Sequence, residues 1–370
     1  MKKFFFGLIF LIFSIPNFAQ TTNDVLNLLI RNKTISQEEA DSIRAEAAIK
    51  QQDLDANKKT FLATTSRPLQ LSGYSQIRYQ FPEQSGKIDG FDIRRARLDF
   101  RGNISPYFGY RLQADLAGTP KLLDAYAEIK LFDYLNFTIG QAKIPFSFEN
   151  LASSNKMELM DRSQVVEALV ARGSDVIGNQ NGRDIGVQVG GSFWKYAHRF
   201  LVDYKVGLFN GSGINSVDKN KNKDIVGRLV FHPVKMVDLG GSYYCGTGIY
   251  GTPTAANHDR NRYGVELNYE YQHFLVRGEF IEGKDGDITR QGWYAQAGYF
   301  IIASKFQLIA KYDVYDPNKA ISKNISRAYL LGATYHFNNW SRIQVGYTIF
   351  KEDGVEIKNN LAVMQYQISF

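Results

Sequence analysis

A single cysteine, Cys245, among 370 residues means that no internal disulfide can staple this chain. After the N-terminus there is no apolar run of about 20 residues, which excludes an ordinary helical membrane protein. The five histidines (His198, His232, His258, His273, His336) stand near turns without metal-ligand spacing, and none is paired by alternation with a serine as a serine hydrolase requires. Residues Asp218, Asn220, Asn222 and Asp224 start like a calcium loop. Lys223, however, replaces the turn glycine and Leu229 the bidentate glutamate, so the segment reads as a solvated loop. The formal charge of +7, to which Lys2 and Lys3 contribute, is interleaved with acids and forms no basic run, so no nucleic-acid partner is implied. Tryptophan (3) and proline (9) are scarce beside 26 Phe, 22 Tyr and 32 Gly. That balance, at a mean hydropathy of -0.29, suits a β-barrel in which half of each strand faces water.

The chain opens with Lys2 and Lys3, an apolar stretch from Phe4 to Ile15, and Ala19 ahead of Gln20. This pattern predicts a secretory signal peptide over residues 1–19, with no nearby cysteine for a lipid anchor. Residues 20–66 carry helical spacing at Val25, Leu28 and Leu29, then Ser36 with Glu39 three positions on as a capping box, then Ile43. They read as a periplasmic helical hairpin or coiled-coil stub, serving either oligomerisation or cell-wall contact, or acting as a spacer.

From Leu69 the period becomes two. In LQLSGYSQIRYQF, residues Leu71, Ile77, Tyr79 and Phe81 alternate with Tyr74, Gln76, Arg78 and Gln80; in FDIRRARLDFRGN, Arg95, Arg97, Asp99 and Arg101 oppose Ala96, Leu98 and Phe100. About sixteen such runs can be traced, starting near residues 69, 91, 107, 122, 134, 183, 199, 224, 237, 261, 274, 289, 304, 325, 341 and 358. Tight connections such as NISPYF and HPVKM take turns with longer polar ones such as GSGINSVDKNKNK, GTGIYGTPTAANHDRN and EGKDGDIT. The fold class is therefore all-β: an antiparallel transmembrane barrel of about sixteen strands over residues 67–370, preceded by the short helical segment. The largest insertion, at about 146–182, carries the helix-like KMELMDRSQVVEALVARG and is long enough to fold inward and set a pore width. The final strand ends in Phe370, resembling the signal read by the bacterial barrel-assembly machinery.

The stretches IRRARLDFRG, GQAKIPF, ENLASS, GRDIGVQVGG and GWYAQAGYF resemble the phosphate-selective porin O and P family. The resemblance implies an outer-membrane barrel, homotrimeric, among outer-membrane lipid and lipopolysaccharide, that passes small anions such as phosphate without catalysis or cofactor. Carried over position by position, it assigns the central arginine pair to Arg94 and Arg95, the constriction aspartate to Asp124, and the loop serines and following lysine to Ser153, Ser154 and Lys156. Arg97 stands where phosphate-specific members have a tyrosine, Tyr74 where they have an arginine, and Asn150 where they have a lysine. An anion-accepting or general diffusion pore is what these residues imply, with phosphate as leading solute; a plugged binding barrel is the alternative.

Guanidinium groups suit oxyanions because the planar fork offers several donors and stays charged at any working pH. Alternation makes Arg78, Arg95, Arg97, Arg101, Arg111, Arg228, Arg277 and Arg342 lumen positions, against which Asp99, Asp115, Glu128, Glu266 and Glu279 can form structural ladders. Arg94 breaks the alternation: either a bulge brings it inward beside Arg95 or it sits at the membrane edge.

Overall fold

The computed structural model describes residues 69–251, 254–355 and 357–370, together with scattered positions between 26 and 43. The expected signal segment and most of the 20–66 segment lie outside them. The chain divides into two units, Met1–Lys59 and Thr60–Phe370. In the first, Ser36 N–H donates to Glu39 Oε2 at 2.8 Å and Glu39 N–H donates to Ser36 Oγ at 3.1 Å. These reciprocal bonds are the capping box that the residue spacing predicts.

The second unit is one closed antiparallel barrel of sixteen strands. In order they are β1 Leu69–Pro82, β2 Gly90–Asn103, β3 Phe108–Asp115, β4 Lys121–Phe132, β5 Leu135–Lys143, β6 Arg183–Tyr196, β7 Arg199–Phe209 and β8 Asp224–Val234. The second half comprises β9 Val237–Tyr250, β10 Ala256–Tyr271, β11 Phe274–Asp285, β12 Ile288–Ile302, β13 Phe306–Asp316, β14 Ser326–His336, β15 Ser341–Glu352 and β16 Leu361–Ser369. Each strand pairs with its sequence neighbours, and β16 closes onto β1 through pairs such as Gln76↔Gln367 and Tyr79↔Met364. Closure leaves no strand edge, the condition for a sheet to cross hydrocarbon. The alternation has its physical counterpart in burial: Gln76, Arg97, Gln344 and Gln365 are enclosed, while Ile77, Phe91, Val265 and Leu331 face outward. No helix among the described residues is long and apolar enough to span a membrane.

Two sequence expectations require correction. GTGIYGTPTAANHDRN and EGKDGDIT are mostly strand, because pairing continues through Ala256↔Tyr250 and Asp285↔Ile288 and leaves only short turns. Within KMELMDRSQVVEALVARG the helix is confined to Gln164–Leu169 (α2); a four-residue turn, Phe148–Leu151 (α1), precedes it. Side-chain and backbone bonds from Met157 to Arg162 go to the barrel wall and to α1, so that part stays irregular.

The β2 alternation is broken as well, and the register says how. Gln76 pairs with Arg95 and Ile77 with Ile93, which leaves Arg94 as the extra residue of a β-bulge. A similar slip between Gln113↔Asp124 and Ala114↔Leu122 leaves Leu123 as the extra residue and buries it.

The 146–182 segment lies against the inner wall. Its apolar residues Phe146, Val165, Val166, Leu169 and Val170 form a core with Phe209, Val226, Tyr244 and Ile281 of β7, β8, β9 and β11. Glycines on inward strand positions supply the seats. A Cβ at Gly292 would come 2.8 Å from Val165 Cβ and 2.5 Å from the Val314 carbonyl; at Gly332 it would meet Leu159 Cδ2 at 2.7 Å, and at Gly346 Met160 Cε at 2.8 Å. Gly292→Val therefore overpacks the seat of α2 against a backbone carbonyl and should cost about 1–3 kcal/mol, lowering the thermal unfolding midpoint in detergent. Gly346→Ala meets only the mobile end of a methionine and should leave the midpoint nearly unchanged. Equal midpoints for the two variants would remove the glycine seat from the account.

Candidate functional site in the barrel lumen

Inside the barrel the loop is fixed by charge as well as by packing. Glu149 accepts from Lys311 Nζ at 2.7 Å, Glu158 pairs with Arg277 at 2.5 Å, Asp161 pairs with Arg94, and Asp175 pairs with Arg260 at 2.8 Å. Wall carboxylates in turn hold loop amides: Glu279 accepts from Phe148 N–H at 3.1 Å and Glu149 N–H at 2.7 Å, and Asp313 from Gln164 N–H at 2.8 Å. These amides start α1 and α2, whose first N–H groups would otherwise lack acceptors. Burial by itself would raise the Glu149 carboxyl. The Lys311 ammonium and the Ser163 N–H and O–H donors outweigh it and hold Glu149 below the usual glutamate range.

The loop's arginines are treated differently. Arg162 donates to the Glu149 and Ala152 carbonyls at 2.9 and 3.1 Å and to Ser154 Oγ at 3.2 Å. Arg172 donates to Asn150 Oδ1 at 3.0 Å and the Asn181 carbonyl at 3.1 Å, with the nearest carboxylate oxygen, on Glu167, 4.0 Å away. From the wall, Lys143 Nζ donates to the Leu151 and Ala152 carbonyls at 3.0 and 2.9 Å, and Arg95 Nη1 to Gln76 Oε1 at 2.8 Å. Among the described residues none of Arg95, Lys143 and Arg162 has a carboxylate within ion-pair distance, so these cations are held only by neutral acceptors. They are close enough to repel: Arg95 lies within electrostatic reach of Arg94, Arg97 and Arg162, and Lys143 of Arg162, Arg172 and Arg183. Burial above all, then the guanidinium groups of Arg162, Arg183 and Arg95, push Arg172 well below its ordinary value against the opposing pull of Glu167. An arginine does not give up its proton in a protein, so these positive charges persist side by side.

The family-assigned residues separate on this map. Arg94 and Arg95 both reach the lumen side through the bulge, Arg94 to Asp161 of the loop and Arg95 to Gln76 of β1. Arg97 is bound to Asp115 at 2.8 Å, with its guanidinium 5.7 Å from the centre of the Tyr74 ring. Asp124 accepts from Arg183 at 2.6 and 3.1 Å and pairs with Arg111 at 3.1 Å, so it braces arginines on β3 and β6. Ser154 joins the site through Arg162, whereas Ser153 turns to Asn155 at 2.7 Å. Lys156 is exposed and stands outside the cluster. Sequence reasoning left out Lys143, Arg162, Arg172 and Arg183. All four were inside stretches already singled out, Lys143 in GQAKIPF, Arg183 in GRDIGVQVGG, and Arg162 and Arg172 in KMELMDRSQVVEALVARG. The structural-ladder reading holds for Arg78 with Asp92, Arg101 and Arg111 with Asp99, and Arg228 with Glu266.

Removing Lys311 would strand the Glu149 carboxylate. Lys311→Met should cost about 3–5 kcal/mol, and Glu149→Gln in the same chain should restore part of it, a coupling that a double-mutant cycle of thermal unfolding measures. Because Glu149 is held below its unfolded value near 4.5, its contribution is present in full above that pH and is lost as the pH falls through the folded value. A wild-type midpoint that does not fall on acidification below about pH 4.5, relative to Glu149→Gln, would contradict this.

The family model for phosphate-selective porin O and P matches residues 69–248. A relative from Aquifex aeolicus (strain VF5), described as an uncharacterized protein, is 24% identical over 291 residues, 68% of each chain. Among solved structures, Salmonella typhi OmpF in complex with daunomycin has a TM-score of 0.62 at 10% identity, covering 84% of this chain and 99% of that one. The trimer form of Vibrio cholerae OmpT, an outer-membrane protein, has a TM-score of 0.60 at 11% identity over 82% and 99%. The outer-membrane channel DcaP of Acinetobacter baumannii has 0.59 at 12% identity over 84% and 99%. At such identities the structures bear on the fold alone.

Proposed function

The chain belongs to the phosphate-selective porin O and P family through residues 69–248, and we propose that this outer-membrane porin prefers anions, with phosphate the leading solute. The observation that carries the reading is the cluster of Arg95, Lys143, Arg162 and Arg172, whose hydrogen-bond partners are all neutral. A passing oxyanion exchanges part of its hydration for guanidinium and ammonium donors contributed by the loop and the facing wall. Because those donors already hold carbonyls and amide oxygens, the anion shares them and can leave, which conduction requires. Asp115 and Asp124 are engaged by Arg97 and by Arg111 with Arg183, so they position arginines and cancel little of the cluster's charge. The same reading takes residues 1–19 as the export signal, residues 20–66 as a periplasmic helical segment and the assembled channel as a homotrimer.

Single-channel recording in a salt gradient tests it. Wild-type protein should give an anion-selective reversal potential and current block by inorganic phosphate. Arg95→Ser combined with Arg172→Ser should reduce the anion-to-cation permeability ratio by about tenfold, whereas Lys156→Ser should leave it unchanged. A cation-selective or indifferent wild-type channel would return the protein to general diffusion, and folded protein without current would favour the plugged barrel.

A further inference from the structure

A second polar site lies on the β6–β8 side of the loop. A partly open cavity of about 270 Å³ lies between the loop, through Pro145 and Leu151, and the β6–β8 wall, through Ser192, Asp203, Lys205 and Arg228. Lys205 and Arg228 stand directly opposite each other on β7 and β8. Like charges so placed repel unless an anion compensates them. Glu266 compensates Arg228. Lys205 has no carboxylate within ion-pair distance among the described residues. Its stem lies along Gly190, where a Cβ would come 3.3 Å from Lys205 Cε. Asp203 is already engaged, accepting from Ser192 Oγ at 2.6 Å and meeting His232 Nε2 at 3.1 Å. The cavity thus offers one exposed ammonium group, within electrostatic reach of Glu128 but ion-paired to no carboxylate among the described residues, beside the side chains of Pro145 and Leu151.

We propose that this cavity binds a small carboxylic acid with a short alkyl chain, its carboxylate on Lys205 and its chain against Pro145 and Leu151. An inorganic oxyanion meets the charge but leaves the Pro145 and Leu151 side chains without an apolar partner. Its cation, Lys205, is none of the constriction cations, and the site goes beyond the anion preference argued above.

Saturation-transfer NMR on the full protein in detergent micelles tests this at neutral pH, with butyrate as probe. The butyrate methyl group should receive saturation from wild-type protein, acetate should bind more weakly, and Lys205→Met should weaken butyrate binding on the order of tenfold. Lys205→Met keeps the stem over Gly190, and Lys156→Ser, which touches neither the constriction cations nor this cavity, serves as the folded control that should bind butyrate like wild type. Unchanged butyrate binding in Lys205→Met overturns the proposal, as does inorganic phosphate competing as well as butyrate for the site. The readout needs no conduction, so an indifferent channel would sink the anion-porin reading and leave this site standing. An anion-selective channel lacking Lys205-dependent butyrate binding would do the reverse.

Discussion

A strand inside hydrocarbon cannot leave an N–H or C=O without a partner, and everything else in this protein follows from meeting that condition by closure. Pairing β16 with β1 removes both edges, and the pairing register then sorts side chains, one to lipid and the next to the lumen. The sorting accounts for a sequence that is rich in Phe and Tyr yet polar overall. It also allows a bulge of a single residue to redirect charge: with Arg94 unmatched between Arg95 and Ile93, two consecutive arginines reach the same lumen.

The loop is the second half of the design, and its charges divide by sign. Acids at Glu149, Glu158, Asp161 and Asp175 are each tied to a wall cation, and the loop's apolar residues settle on wall glycines. Its arginines, Arg162 and Arg172, bond instead to carbonyl and amide oxygens. Anchors and the proposed solute donors therefore draw on different residues of one segment. A buried ion pair adds little net stability over an apolar contact but makes misplacement costly, which suits a segment held at a fixed place against the inner wall.

Most of the architecture could be read from the residues because the strand period is short and the membrane enforces it. Strand starts fall within about three residues of where alternation places them, β10 excepted, where polar residues after Ala256 keep pairing beyond the expected loop. The Ser36 and Glu39 bonds were legible for the same reason, since both partners are local in sequence. The candidate site was legible only in part. Parity identified Arg95 and Arg97 as lumen residues but could not tell that Asp115 occupies Arg97 while Arg95 has only Gln76. Loop residues have no parity, so alternation gave no signal for Arg162 and Arg172, and Lys156, close in sequence to the assigned serines, is exposed.

By itself the sequence determined the barrel, its strand count and which side chains face water, because those depend on a two-residue repeat and on turns that are local. Tertiary structure alone decided which arginines remain without a carboxylate. That depends on contacts such as Lys311 with Glu149 and Arg183 with Asp124, between residues far apart in the chain, whose meeting is set by barrel register and by where the loop comes to rest.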